Sequence, residues 1–225
     1  MICIIDVTSG IVVMKYKHKD VRECFYTLAW STLTIDGYKS NILASGGTKG
    51  EIKLYHPRNK VCYYSWNPVN QRNIAVNSLV FHSSQTSWLF CATSDGVVSL
   101  WDVGIPTLPT YEGCDSYILL KLSPDYGDIY NIAWSGHESK WLLAGSAAGL
   151  VGWNIEVEEV MTGRRYQPMM VDFILPVSDK DQGNKPVVES LAIVTEWTVV
   201  NYKSRSQERH GYRKRSDFIV KAEVV

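Results

Sequence analysis

The sequence predicts an all-β fold, a partial β-propeller with about four blades' worth of strands and half-blades at both ends. Three observations predict it. A pattern of apolar strand, glycine turn and alternating strand occurs three times. The turn glycines Gly50, Gly96 and Gly149 are spaced close to the roughly 40–45 residues typical of one propeller blade. A short strand that ends in an aromatic residue precedes each of these units.

The three repeated units supply the second and third strands of three blades. They cover residues 42–55, 88–101 and 141–153. The predicted inner strands cover residues 25–30, 76–81 and 129–134, and the outer strands are clearest at residues 61–66 and 117–122. The second unit ends its third strand with the dipeptide Trp101-Asp102. This dipeptide is typical of WD40-type β-propellers, so the sequence predicts a propeller of that type.

An aromatic residue closes each predicted inner strand. These residues are Trp30, Phe81 and Trp134. Since one face of each blade packs on the neighbouring blade, we expect all three in the core between blades.

The two ends of the sequence carry parts of the same pattern. Residues 2–7 align with residues 98–103 of a third strand, whereas residues 188–194 and 197–202 match a first and a second strand. One arrangement joins these terminal halves into a composite blade that closes a four-bladed ring. The other makes this chain a piece of a larger ring, with sheet edges and apolar blade faces left uncovered. The pattern favours the piece.

A basic segment follows the last predicted strand. We divide the chain into a propeller segment, residues 1–202, and a disordered tail, residues 203–225, which includes Arg213, Lys214 and Arg215. Such a tail is compatible with nuclear import or with weak contact to the phosphate backbone of a nucleic acid. The alternative is a solvated segment without a binding role.

Composition and charge exclude several classes of protein. The chain has 23 basic and 23 acidic residues and 45% hydrophobic residues, so no overall charge attracts it to nucleic acid or to an anionic membrane. No apolar run reaches the ~18 residues of a membrane span, and Asp6 interrupts the apolar start before it could form a signal peptide. The five cysteines include no Cys-x-x-Cys pair, which favours a reducing compartment.

The sequence carries no catalytic motif with the spacing that its chemistry needs. A nucleophile elbow, a phosphate-binding glycine loop and a zinc-binding His-Glu-x-x-His pair are all missing, and the five histidines are scattered. We therefore expect no enzyme activity, no small-molecule substrate, no cofactor and no metal.

The residue four positions before each closing aromatic is a candidate binding residue. These residues are Tyr26, Asn77 and Tyr130, and they begin the inner strands beside the mouth of the central channel. Tyrosine faces around a narrow opening attract a methylated ammonium group by cation–π interaction, which predicts a pocket for a trimethyl-lysine peptide with Asn77 at its rim. The alternative is that these tyrosines only cover the channel edge and make local hydrogen bonds.

Residues 24–30, 100–106 and 191–194 carry a family resemblance. The chain resembles the WD-repeat half of the leucine-rich-repeat and WD-repeat proteins that associate with the origin recognition complex, over roughly residues 1–202. The Trp-Asp-Val-Gly-Ile-Pro stretch from Trp101 is the most specific part. The resemblance implies a nuclear protein that binds repressive methyl marks on histone H3 and H4 tails and holds the origin recognition complex on heterochromatin.

A second, more distant resemblance concerns the strand that contains Phe25 and Tyr26. Its Phe-Tyr-Thr-x-Ala-Trp sequence is similar to that of the embryonic ectoderm development proteins of Polycomb complexes. In those proteins the tyrosine belongs to an aromatic cage for trimethyl-lysine, which implies the same role for Tyr26, with Phe25 beside it. The other cage residues of that family have no counterparts in this chain.

These observations lead to one main functional hypothesis and two alternatives. The main hypothesis is a non-catalytic chromatin scaffold that recruits or stabilises the origin recognition complex in replication initiation and reads trimethyl-lysine. The first alternative is a generic WD-repeat scaffold for protein partners without methyl-lysine recognition. The second is nucleic-acid binding through the basic tail.

Overall fold

The computed structural model describes residues 1–71, 73–112, 114–136, 140–173, 175, 187–194, 197–203 and 216–221. Over these residues the chain is built of β-strands, with one single-turn 3-10 helix, Pro57–Asn59, and one short helix, α1 (Val157–Met161). Among these residues, no helix has the length and apolar character needed to cross a bilayer.

The strands form three complete blades, each a four-stranded antiparallel sheet. Blade 1 contains β3 (Phe25–Ile35), β4 (Tyr38–Gly47), β5 (Ile52–His56) and β6 (Val61–Trp66). Blade 2 contains β7 (Val76–Phe81), β8 (Trp88–Thr93), β9 (Val98–Asp102) and β10 (Tyr117–Leu122). Blade 3 contains β11 (Ile129–Trp134), β12 (Trp141–Ser146), β13 (Gly149–Asn154) and β14 (Met170–Phe173). The repeated units of the sequence are therefore confirmed as propeller blades.

Two smaller sheets flank the blades. The N-terminal sheet pairs β1 (Ile2–Ile5) with β2 (Val12–Tyr16). The C-terminal sheet contains β15 (Val187–Val194), β16 (Trp197–Lys203) and β17 (Ser216–Lys221) in that order. In the part of the chain that the structure describes, these two sheets share no strand pairing, so the terminal halves do not form one composite blade within the chain.

Strand β17 is a difference from the sequence analysis. It lies within residues 203–225, for which we expected no regular structure, and it pairs antiparallel with β16 from Tyr202↔Ser216 to Trp197↔Lys221. The physical reason is that β16 offers an unpaired edge, and the run Phe218-Ile219-Val220 has high strand propensity. Periodicity did not find this strand because it is separated from β16 by residues 204–215 and matches no repeated unit.

Hydrophobic clusters lie between successive sheets. One joins blades 1 and 2 through residues such as Leu33, Leu54, Leu79 and Phe81, and a second joins blades 2 and 3 through Phe90, Leu100, Ile132 and Trp153. A third joins blade 3 to the C-terminal sheet, and a fourth joins the N-terminal sheet to blade 1. The core is therefore a series of interfaces between sheets, as in a propeller.

A hydrogen bond repeats between the inner strands of successive blades. Thr27 Oγ1 accepts from the Leu79 N–H at 2.9 Å, and Ser78 Oγ accepts from the Ile132 N–H at 3.1 Å. Asn131 Oδ1 accepts from the Leu191 N–H at 3.3 Å, at the same position of the next pair. Each inner strand thus fixes the height of the following one.

Glycines allow the close approach of blades at two positions. A Cβ on Gly46 would lie 2.4 Å from Val76 Cγ1, and a Cβ on Gly145 would lie 2.4 Å from Val188 Cγ1. Because real carbon atoms do not approach so closely, any larger residue would push the neighbouring inner strand away.

The expectation that Trp30, Phe81 and Trp134 all lie between blades is wrong for Trp30. Phe81 is buried and Trp134 packs against the cluster of blades 2 and 3, but Trp30 is exposed. The reason is that β1 and β2, the described strands before blade 1, pack against Phe25, Leu43 and Tyr55 and do not cover Trp30.

The hydrogen bonds of one buried histidine, His82, require its imidazole to be neutral. His82 accepts hydrogen bonds at Nδ1 from the N–H groups of Ser84 at 3.2 Å and Gln85 at 3.0 Å. Its ring packs on Trp134, with ring centroids 4.5 Å apart. Burial lowers the pKa of His82 to about 4.

We predict that Thr27→Val lowers the free energy of unfolding by about 1–3 kcal/mol, because it leaves the Leu79 N–H without its acceptor. The control is Thr32→Val on the same strand, whose hydroxyl bonds only the exposed Asn41. The control should change stability by less than about 0.5 kcal/mol. Urea unfolding measures both, and equal effects would contradict a special role for the bond between blades.

We also predict a loss of stability in acid that depends on His82. The unfolded chain takes up this proton near the ordinary pKa of 6.5, but the folded chain resists it down to about 4. The free energy of unfolding therefore falls as the pH decreases from 6.5 towards 4. His82→Asn keeps an acceptor but cannot titrate, so its stability should vary less over this interval in denaturant titrations at each pH. An unchanged slope would contradict the assignment.

Candidate functional site

A β-bulge interrupts the inner strand of every blade at the same position. The pairing register shifts between Phe25 and Thr27 in β3, and the same shift occurs in β7, β11 and β15. The residues skipped in the pairing register are Tyr26, Asn77, Tyr130 and Glu189. A bulge redirects its side chain out of the ordinary alternation of a strand, so the repeat creates one row of positions along the inner strands.

The two tyrosines of this row are accessible. Tyr26 is 56% exposed and Tyr130 is 36% exposed. Among the described residues, neither ring contacts another aromatic ring. Each tyrosine therefore offers a free aromatic face, but the structure does not bring the two together into a closed cage.

Phe25 has a different environment from Tyr26. Its side chain is partly buried against the cluster of Ile2, Met14, Leu43 and Tyr55, and its ring lies edge-on to His18 with centroids 6.0 Å apart. This contact anchors the start of β3 on the N-terminal sheet. Tyr26 is thus the exposed ring of the pair, and Phe25 supports the strand that presents it.

Asn77 makes a structural bond. Its Nδ2 donates to the main-chain oxygen of Ile129 at 2.7 Å, which ties the bulge of β7 to the start of β11. The Asn77 amide therefore makes a hydrogen bond across the junction of blades 2 and 3. In the order of the row, Asn77 lies between Tyr26 and Tyr130.

Glu189 is a member of the row that the sequence analysis missed. It occupies the bulge of β15 and is exposed. The spacing of four residues before a closing aromatic residue does not identify Glu189, because this strand has Ile193 where the others have Trp or Phe. Aligning the starts of the inner strands, instead of counting back from a closing aromatic residue, identifies Glu189. Glu189 places a carboxyl group next to Tyr130 in the order of the row.

A polar cavity lies at the rim near the start of β3. It has a volume of about 570 Å³ and is lined by Arg22, Thr48, Lys49, Asn67, Asn70, Gln71 and Asn73. The turn between β4 and β5 and the loop between blades 1 and 2 form its walls. The Thr48 N–H bonds the Cys24 carbonyl oxygen at 3.0 Å, which connects the cavity to the segment that leads into Tyr26.

One carboxylate holds the two cations of this cavity in place. Asp20 contacts Lys49 Nζ at 3.0 Å and Arg22 Nε at 3.3 Å. Hydrogen bonds from the Arg22 N–H and side chain and from Lys49 keep the pKa of Asp20 far below its usual value. The cavity wall therefore combines positioned cations with amide side chains that can both donate and accept hydrogen bonds.

A serine–histidine pair lies in blade 1. Ser40 Oγ is 2.7 Å from His56 Nε2, and His56 Nδ1 is 2.8 Å from the Tyr111 hydroxyl. The imidazole is buried, and burial lowers its pKa. Tyr111 also stacks on Tyr63, with centroids 5.1 Å apart. These contacts fasten the loop between β9 and β10 to blade 1, which is a structural role.

Two further expectations concern the basic tail and the absence of a metal site. Arg213, Lys214 and Arg215 of the basic tail lie outside the described residues. Within the described ranges, no group of three or more His, Cys, Asp or Glu side chains is placed to hold a metal ion.

Comparison with known proteins finds one matching family and several similar proteins. The model of the family described as "Leucine-rich repeat and WD repeat-containing protein 1, WD domain" matches residues 1–212. Proteins named leucine-rich repeat and WD repeat-containing protein 1 are similar in Xenopus tropicalis, with 28% identity over 204 residues, in Mus musculus, with 28% over 205, and in Homo sapiens, with 28% over 200.

These alignments cover most of this chain but a small part of each relative. They include 87%, 89% and 87% of the chain, and 28%, 30% and 29% of the frog, mouse and human proteins. The chain therefore spans less than a third of the length of these relatives.

We predict that Asn77→Asp destabilises the fold by about 1–3 kcal/mol, because a carboxylate would face the Ile129 carbonyl oxygen instead of donating to it. The control is Asn41→Asp, which keeps the acceptor for the Thr32 hydroxyl at an exposed position. That variant should lie within about 0.5 kcal/mol of the parent in chemical unfolding. A stable Asn77→Asp variant would refute the structural role of this amide.

Proposed function

Since the chain belongs to the WD-domain family of leucine-rich repeat and WD repeat-containing protein 1, we propose that it is a nuclear, chromatin-associated scaffold. WD domains of this family are of the scaffold type and generally non-catalytic. In this proposal the chain helps to recruit or stabilise the origin recognition complex on heterochromatin. Its partners are subunits of that complex and the tails of histones H3 and H4.

The exposed ring of Tyr26 is the observation that carries the methyl-lysine part of this proposal. It stands at a bulge that directs it away from the sheet, on a strand start that Phe25 anchors. A trimethyl-ammonium group has no hydrogen to donate and is bound best by aromatic faces, so an unengaged tyrosine ring is suited to it.

Tyr130 and Glu189 extend the same surface. Tyr130 contributes a second aromatic face, and Glu189 contributes negative charge in the row beside it. A carboxyl group near an aromatic ring raises the local preference for a cation, because both interact with the same positive charge. Asn77 lies between the two tyrosines in the order of the row, and its amide bonds the main-chain oxygen of Ile129.

The rim serves the second part of the proposal. Loops and turns on one end of a propeller are the usual place for protein partners, because a rigid scaffold holds them. Here the rim cavity presents Arg22 and Lys49 with four amide side chains. Cations at this position favour an acidic partner segment over the basic stretches of a histone tail. We therefore assign histone tails to the tyrosine row and the origin complex to the rim.

The test is a calorimetric titration with histone H3 tail peptides, unmodified or trimethylated at lysine 9 or 27. We expect binding of the methylated peptides only. Tyr26→Ala should weaken it by about 2- to 30-fold, as one cation–π contact is worth about 0.5–2 kcal/mol. Tyr130→Ala should weaken it in the same direction.

The matched control is Tyr38→Ala. Tyr38 is 78% exposed and begins β4 beyond the hairpin turn, away from the bulge row. This variant should bind like the parent. If methylated and unmodified peptides bind equally, or if neither binds a cooperatively folded sample, the methyl-lysine function is refuted for this chain. Retained binding of purified origin complex in Tyr26→Ala would then leave the generic scaffold.

A further inference from the structure

The rim cavity has three walls, which belong to blade 1 and to the loop between blades 1 and 2. The segment before β3 contributes Arg22, the turn between β4 and β5 contributes Lys49, and the loop after β6 contributes four amide side chains. The turn and the loop touch at Gly50, where a Cβ would lie 2.1 Å from the Ile74 carbonyl oxygen and 3.6 Å from Asn67 Nδ2. The cavity is therefore shaped by close packing of neighbouring elements.

Both cations of the cavity keep donors for a ligand. Asp20 accepts from Arg22 Nε at 3.3 Å, from Arg22 Nη2 at 3.4 Å and from Lys49 Nζ at 3.0 Å. A guanidinium has five N–H donors and an ammonium has three, so Arg22 Nη1 and the other hydrogens of Lys49 Nζ remain. The carboxylates of Asp20 and Glu23 contact this region, but neither residue lines the cavity.

The amide side chains form the third wall and can also donate. Asn67 Oδ1 accepts from the N–H groups of Val69 at 3.0 Å and Asn70 at 2.9 Å, which leaves its Nδ2 to donate. Asn70 and Asn73 have positive φ angles of 56° and 66°, a conformation that asparagine adopts more readily than most residues. The side chains of Asn70, Gln71 and Asn73 make no hydrogen bond within the described ranges. All three walls therefore present donors.

Donors on three walls suit a tetrahedral oxyanion. A phosphate monoester offers three strong acceptor oxygens and carries about 1.5–2 negative charges at neutral pH. A carboxylate has only two oxygens, in one plane, so it cannot accept from all three walls at once. We propose that the rim cavity binds the phosphorylated serine or threonine side chain of an acidic partner segment. This inference rests on the rim part of the proposed function and names the group by which that partner is recognised.

A phosphorylated protein segment fits these residues better than a nucleic acid does. Affinity for a nucleic acid comes from cations that neutralise a series of phosphates, whereas the described lining holds two cations and four uncharged amides. Amides add hydrogen bonds without adding charge, which favours one enclosed oxyanion. Lys17 and Lys19 are exposed on the segment before Asp20, and they favour acidic residues next to the phosphorylated one.

The experiment is a calorimetric titration of the full chain with a short acidic peptide that has one central phosphoserine. Two peptides of the same sequence, with serine or glutamate at that position, are the reference ligands. We expect the phosphopeptide to bind at least about tenfold more tightly than either, because glutamate supplies charge but too few acceptor oxygens. A single-stranded oligonucleotide should bind more weakly than the phosphopeptide.

Variants of Arg22 locate the bound phosphate. This side chain is 79% exposed, so its replacement does not disturb the core. Arg22→Ala should weaken phosphopeptide binding by about 10- to 100-fold, the range of a charge-assisted hydrogen bond. Arg22→Lys should recover only part of the loss, because it keeps the charge but lacks the planar fork that matches a phosphate. The matched control is Arg58→Ala, an exposed position at the opposite end of blade 1, which should bind like the parent.

Three results would each overturn the proposal: a phosphopeptide that binds no better than the serine or glutamate peptide, equal binding in Arg22→Ala, or an oligonucleotide that binds more tightly. Purified origin recognition complex separates this inference from the proposed function. If the parent chain binds the complex equally before and after phosphatase treatment, the scaffold stands and the phosphate site is refuted. If the phosphopeptide binds at the cavity but the complex does not bind, the phosphate site stands and the origin-complex role is refuted.

Discussion

The hydrogen bond from each inner strand to the next is the contact on which this structure depends. A polar side chain placed just after the bulge accepts from an N–H group two positions beyond the following bulge. This bond fixes the relative height of adjacent blades, while the apolar clusters supply most of the free energy of packing. The tight approach at Gly46 and Gly145 keeps the inner strands close enough for the bond to form.

The same arrangement creates the candidate site. Since the bulge recurs in register, the backbone delivers four side chains to one row without constraining their chemistry. Tyr26 and Tyr130 use these positions for exposed rings, Asn77 uses its position for a bond between blades, and Glu189 supplies a carboxyl group. The residue after each bulge therefore bonds the next blade, whereas two of the bulge residues, Tyr26 and Tyr130, present exposed rings.

The surface has two regions of different chemistry. The rim cavity holds Arg22 and Lys49 against Asp20, so its cations are positioned before any partner arrives. The bulge row carries aromatic faces and the carboxyl group of Glu189. A basic methylated tail and an acidic segment would not compete for one place on this scaffold, which is the property that a protein joining two partners requires.

The sequence alone determined the inner strands of the blades and the repeated order of strands within them, but not β17. Period-two alternation, turn glycines and the spacing of units placed the inner strands of blades 2 and 3 at Val76–Phe81 and Ile129–Trp134, as the structure has them. It did not determine burial at the ends of the array. Trp30 and Phe25 lie on the same strand, yet the predicted core residue is exposed and a predicted site residue is packed. Alternation is a property of one strand, whereas burial depends on which sheet lies opposite, and only the tertiary structure decides that.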